Sequence, residues 1–139
     1  MPNCGRAAFG LVSAMALTAC QTGKPSDALS VRSSENPTKL IVAVATQAQK
    51  CWFKSGDRNF SGYKLANEVN SHAGRPRILL VPRSNPSGLP VLVVQAEQKG
   101  SGATGTYTNL QSFGPLLATG NGARINQDIS RWAKGTATC

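Results

Sequence analysis

Apolar residues recur at helical spacing in two stretches of this chain, and at alternating or consecutive positions in the region between them. From Thr38 onward, Leu40, Ile41, Val44, Ala45, Ala48, Cys51 and Trp52 fall at i, i+3, i+4 steps. Asn36 is a good cap, Pro37 suits the first helical position, and Ser55-Gly56-Asp57 is a stop. The spacing therefore predicts a helix over 37–53. Near the other end Ile125, Ile129, Trp132 and Ala133 make a second stripe. Asn121 stands where it can cap that helix and Gly135 where it can stop it. Asp128 precedes Arg131 and Lys134, the order a helix dipole favours. Leu116-Leu117, just before, are expected to pack beside a sheet edge.

Between the helices the period changes. In 60–70, Tyr63, Leu65 and Val69 share one parity and Lys64, Glu68 and Asn70 the other, which predicts a half-buried strand. Residues 77–83 (RILLVPR) read as a second strand, with Pro82 marking an edge or a strand end. Residues 89–98 (LPVLVVQAEQ) read as a third, and the run Val91-Leu92-Val93-Val94 asks for burial on both faces at a central position. Residues 104–110 (TGTYTNL) read as a fourth. Turn residues separate all four. The expectation is an α+β domain over 37–139, in the order α-β-β-β-β-α. Its sheet would be a four-stranded antiparallel meander packed with the N- and C-terminal helices. Residues 20–36 are polar, Ser-rich and aperiodic, and read as a flexible tether.

The first nineteen residues read as a targeting segment. Arg6 is the only charge before Lys24, and an apolar stretch over 7–17 is too short to span a bilayer. It ends in Leu17-Thr18-Ala19-Cys20. This tetrapeptide resembles the lipobox of bacterial lipoproteins. The resemblance implies cleavage before Cys20, a thioether lipid on its sulfur, and acylation, palmitate for example, of the new amino terminus. The alternative is an ordinary cleaved signal. Gln21 stands where an Asp retains many such proteins at the inner membrane, so the resemblance leans toward the outer membrane. The stretch 51–57 (CWFKSGD), then Gly62-Tyr63, then 74–78 (GRPRI), is similar to small exported lipoproteins of alpha-proteobacteria. That similarity supports an envelope address facing the periplasm or the surface, and implies no activity.

Under that reading Cys4 leaves with the signal and Cys20 is consumed by lipid. Two cysteines remain in an oxidising compartment, and a Cys51–Cys139 disulfide is expected. It would close a loop worth roughly 4–5 kcal/mol of chain entropy. The rivals are a metal site and a catalytic thiol. Two distant thiols and a single histidine make a poor zinc set, and a terminal cysteine has little scaffold to hold it as a nucleophile. No metal and no cofactor is expected.

Composition sharpens the question of partners. The full chain carries 15 Lys and Arg against 6 Asp and Glu, a formal charge of +9. In an envelope that charge favours anionic lipid or anionic polymer, an envelope protein being the other expected partner, whereas nucleic acid is not expected. Lys50, Lys54, Arg58, Lys64, Arg75, Arg77 and Arg83 are the candidate patch for an anionic ligand, the arginines acting as bidentate phosphate ligands. The plainer reading of the same residues is a solvated surface. Trp52 and Phe60, interleaved with them, fit a core better than a binding platform.

Motifs for catalysis are weak. Gly100-Ser101-Gly102-Ala103-Thr104-Gly105 matches G-x-G-x-x-G, but strand rather than helix is expected to follow, so a turn is the better reading. Ser61-Gly62-Tyr63-Lys64 matches S-x-x-K on a segment that reads as strand, which cannot place the lysine one helical turn from the serine. His72 sits in turn composition, and Glu68, Glu97 and Asp128 are isolated in sequence. The expectation is a non-enzymatic, membrane-anchored envelope lipoprotein, a structural or interaction module docking on an envelope protein or anionic polymer. A periplasmic ligand-binding or inhibitor domain is the alternative, and a small hydrolase ranks last.

Overall fold

The computed structural model describes residues 28–70 and 73–139. The expected signal (1–19), the Cys20 lipidation site, the tether as far as residue 27, and His72 lie outside them.

The α+β architecture stands, with one strand more than the sequence pattern indicates. Leu29–Ser33 forms β1, Pro37–Ala48 α1, Tyr63–Glu68 β2, Arg77–Pro82 β3, Leu92–Lys99 β4, Tyr107–Phe113 β5 and Gly122–Ala133 α2. The sheet is antiparallel throughout, in the order β1-β5-β4-β3-β2. Strands β2 to β5 are the expected meander. Strand β1 is the correction: part of the segment expected to be tether adds to the outer edge of β5, with Val31 opposite Leu110. Its hydroxyl neighbours are bonded too, since Ser30 Oγ donates to Asn109 Oδ1 at 2.8 Å and Thr108 Oγ1 donates to the Glu35 carbonyl.

Helix α1 starts as expected, with the Asn36 side chain accepting from the Thr38 and Lys39 N–H groups. It then widens over Gln49–Lys54 into a π-helical turn carrying Cys51 and Trp52 inward. Asn121 precedes α2, but its side chain makes no capping bond to that helix.

Both helices lie on one face of the sheet. Leu40, Ile41, Val44 and Ala48 from α1 and Ile125, Ile129 and Trp132 from α2 share a core with Ile78, Leu80, Leu92, Val94, Ala96 and Leu110 from the strands. Leu116 and Leu117, in a short 3-10 turn over Pro115–Ala118, join it. Trp52 and Phe60, both buried, stack with ring centroids 4.6 Å apart, and Trp132 closes on Trp52 at 5.0 Å. Cys51 and Cys139 form the expected disulfide, their α-carbons 5.3 Å apart. Strand β4 is the middle strand, as its apolar run required, and Pro82 ends β3 instead of marking an edge.

Candidate functional site

Register fixes which residues share an end of the sheet. Tyr63 lies opposite Pro82, Leu80 opposite Leu92, Val93 opposite Phe113 and Leu29 opposite Ser112. One end therefore gathers the start of β1, the start of β2, the end of β3, the start of β4 and the end of β5. The other gathers Ser33, Glu68, Arg77, Lys99 and Tyr107.

This division sorts the seven candidate cations. Arg75 and Arg77 belong to the second end, where each has an acid. Arg77 lies directly across from Glu68 and bonds it at 2.5 Å, and Arg75 pairs with Glu97 at 3.1 Å. Lys99 reaches Glu97 as well, at 2.7 Å. The Lys99 hydrogen bond, together with Arg75, outweighs the desolvation that opposes it and holds the Glu97 carboxyl below its ordinary value. Three of this end's cations are paired with acid, and a fourth, Arg32, lies over the Tyr107 ring at 3.9 Å.

The first end differs. Arg58, Lys64 and Arg83 gather there. Arg83 Nε donates to the Ser61 carbonyl at 2.9 Å and its amide to the Gly62 carbonyl, also at 2.9 Å. The Ser61 hydroxyl donates to the Arg58 carbonyl at 2.8 Å, which ties the two arginines to one turn. Lys64, the second residue of β2, lies opposite Val81 on the face away from the helices. Among the described residues none of the three has a carboxylate within ion-pair distance. Asp57, next to Arg58 in sequence, is committed to Arg124 at 2.5 Å. Its burial would raise its pKa, but the hydrogen bonds from Arg124 and the Asn59 N–H, with Arg124's charge, win and hold it below its ordinary value.

Apolar surface accompanies these cations. The link from β3 to β4 carries Leu89, 89% exposed, and β5 ends in Phe113, 43% exposed. Of the large apolar side chains on the described surface, only Val42 on α1 is otherwise so open.

Lys50 and Lys54 belong to neither group of cations. They edge a groove of about 530 Å³ between the α1 flank and the outer edge of β2, with Val42, Ala45 and Val69 as its apolar walls.

The remaining motifs are structural. Residues 100–105 form the turn between β4 and β5, with a 3-10 turn at Gly102–Thr104 and no helix opening there. Trp52 and Phe60 are core, not platform. Asp128 is the residue that sequence reasoning undervalued. It is buried on α2 and accepts the Trp52 indole N–H at 2.9 Å and Arg131 at 2.6 Å. The signal available in sequence was a carboxylate one step before the buried Ile129 on the apolar stripe. Among the described residues no group of three or more His, Cys, Asp or Glu is placed to hold a metal, and no helix is long and apolar enough to cross a membrane.

The arrangement defines a class: a disulfide-stapled α+β domain with one end whose cations are mostly paired with acids and one cationic, partly apolar end. No family model, curated protein or solved structure matches the chain.

Proposed function

We propose that this chain is a non-catalytic, lipid-anchored envelope module that docks on an anionic partner through its cationic end. The observation that carries this reading is the sorting of charge. Glu68 and Glu97 are spent on Arg75, Arg77 and Lys99 at one end, while Arg58, Lys64 and Arg83 meet no acid among the described residues at the other. Three cations held without counter-charge repel one another, and an anion relieves that cost. Arginine forks suit phosphate or carboxylate oxygens. The resemblance of Leu17-Thr18-Ala19-Cys20 to a lipobox supports an address where such polyanions are, with acyl chains on Cys20 as the anchor. The non-catalytic reading is supported by the Ser61 hydroxyl, which is bonded to a backbone carbonyl, and by the strand position of Lys64.

The test pairs two substitutions of equal charge. The triple variant Arg58→Glu, Lys64→Glu, Arg83→Glu should lose salt-sensitive binding to purified lipopolysaccharide. A triple variant at the acid-paired end, Arg75→Glu, Arg77→Glu, Lys99→Glu, should keep most of it. Equal losses would reduce the effect to net charge and remove the site. Labelling with a radioactive fatty acid, comparing wild type with Cys20→Ala, tests the anchor separately.

The groove beside α1 favours a second reading, a binding domain for a small amphiphile. Its apolar walls would take a hydrocarbon portion and Lys50 and Lys54 an anionic head. Protection of the chain against thermal unfolding by dodecanoate, lost on Lys50→Glu with Lys54→Glu, would favour it.

A further inference from the structure

We propose that the anionic partner of the cationic end is the bilayer in which the chain is anchored, and that Leu89 and Phe113 enter its interface while Arg58, Lys64 and Arg83 meet lipid phosphates. The inference rests on the anchored-module reading and names the partner of that same site.

Three independent observations converge. The first is the direction of β1. Its first residue, Leu29, pairs with Ser112, next to Phe113, so the chain enters the domain at the cationic end. The stretch from Cys20 to Leu29 reaches at most about 30 Å even when fully extended. An anchor at Cys20 therefore keeps this end within tether reach of the lipid, while the Ser33 end lies a further strand length along the chain.

The second is exposed apolar surface where a soluble face has no use for it. Leu89 is 89% exposed on a link that also holds Pro86 and Pro90, and Phe113 is 43% exposed at the end of β5. Val93, directly opposite Phe113, and Val81 lie on the sheet face away from the helices, and both are themselves buried. A loop leucine and a phenylalanine, each able to enter the acyl boundary, are the means by which a peripheral domain gains apolar burial at an interface.

The third is charge. Arg58, Lys64 and Arg83 share that end of the sheet, on its β2–β3 side, without acidic partners among the described residues, while Glu68 and Glu97, which an anionic leaflet would repel, are at the far end. Basic residues flanking apolar ones are the pattern that anionic lipid attracts, each cation adding several-fold to affinity and the whole being salt-sensitive. A soluble polyanion would engage the cations but gives Leu89 and Phe113 no reason to be bare.

Tryptophan reports the contact cleanly, because Trp52 and Trp132 are both buried. The full lipidated chain carrying Leu89→Trp is reconstituted with phosphatidylglycerol vesicles whose acyl chains are brominated. A blue shift and strong quenching of the added tryptophan are expected. Both should vanish in phosphatidylcholine vesicles, and in the Arg58→Glu, Lys64→Glu, Arg83→Glu background, although the acyl anchor keeps the chain sedimenting with lipid. On the unlipidated Cys20→Ala chain the same triple change should weaken phosphatidylglycerol binding about a hundredfold. Val42→Trp, on α1 away from this end, should stay unquenched. The inference is overturned if Leu89→Trp is unquenched in anionic vesicles, or if Leu89→Trp and Val42→Trp are quenched alike. Salt-sensitive lipopolysaccharide binding without Leu89→Trp quenching would sink the bilayer contact alone and leave the docking reading standing. Loss of both, or failure of wild type to take up fatty acid, would sink the parent reading.

Discussion

Asp128 shows how one buried carboxylate organises the helix side of the domain. Its Oδ2 accepts the Trp52 indole and its Oδ1 a guanidinium N–H of Arg131, so the aromatic stack and α2 meet at one side chain. Removing an acceptor from a buried donor costs more than the bond itself is worth, because the orphaned donor has lost water as well. Asp128→Ala should therefore lower unfolding free energy by about 2–4 kcal/mol in urea titrations. Asp128→Asn keeps an oxygen for one donor and should lose less. Asp57 makes a pH-dependent case. Its folded pKa lies below its unfolded one, so its ionised form stabilises the fold above the unfolded value and that contribution disappears as pH falls through the folded value. Asp57→Asn should be less stable than wild type at pH 7. The gap between their urea midpoints should close below roughly pH 4. A gap that stays constant down to pH 3 would mean that the Arg124 pair contributes nothing.

Elements were legible to the extent that their signals were local. Both helices and β2 to β4 follow from period and punctuation, because each buries a stripe that repeats several times. Strand β1 has only Leu29 and Val31 in a serine-rich tract, and its pairing partner β5 lies some eighty residues away, so no local rule marks it. Strand β5 begins at Tyr107, three residues later than the β-branched run indicates, since Gly105 takes a positive φ of 68° and ends the preceding turn. The candidate site was legible as a list of cations and not as a place. Which arginines keep a free charge depends on cross-strand partners such as Glu68 opposite Arg77, and register is a tertiary fact. At Gly122 the helix departs from the usual preference for alanine. In a helix, Gly→Ala ordinarily gains up to about 1 kcal/mol. Here a Cβ would stand 1.8 Å from the Leu117 carbonyl oxygen, because the first turn of α2 folds back on the turn before it. That contact is backbone and cannot rotate away, so overpacking wins. Gly122→Ala should cost about 1–3 kcal/mol in thermal or urea unfolding.

At the scale of the whole molecule, the disulfide joins the end of the widened first helix to the last residue of the chain, 88 positions apart. The closed loop holds β2 to β5 and α2, leaving β1 and α1 outside it. Noncovalent contacts guide the tail to the same place. Trp132 Nε1 donates to the Thr138 carbonyl at 3.1 Å, and an Arg131 guanidinium N–H is 3.4 Å from the Cys139 carbonyl. The crosslink thus restrains the unfolded chain far more than it shapes the folded one, and its contribution should appear as stability without a change of fold. Cys51 and Cys139 differ as places to test this. Cys51 is buried, and a serine there would add a hydroxyl to the core, whereas Cys139 is exposed. Cys139→Ser therefore isolates the covalent effect. It should cost about 2–4 kcal/mol in urea unfolding with the native circular dichroism retained, and wild type in dithiothreitol should fall to the same value. A variant as stable as the oxidised wild type would mean that the Trp132 and Arg131 contacts hold the tail by themselves. A variant that loses its native spectrum would mean that the domain depends on the crosslink to fold at all, as marginal small domains do.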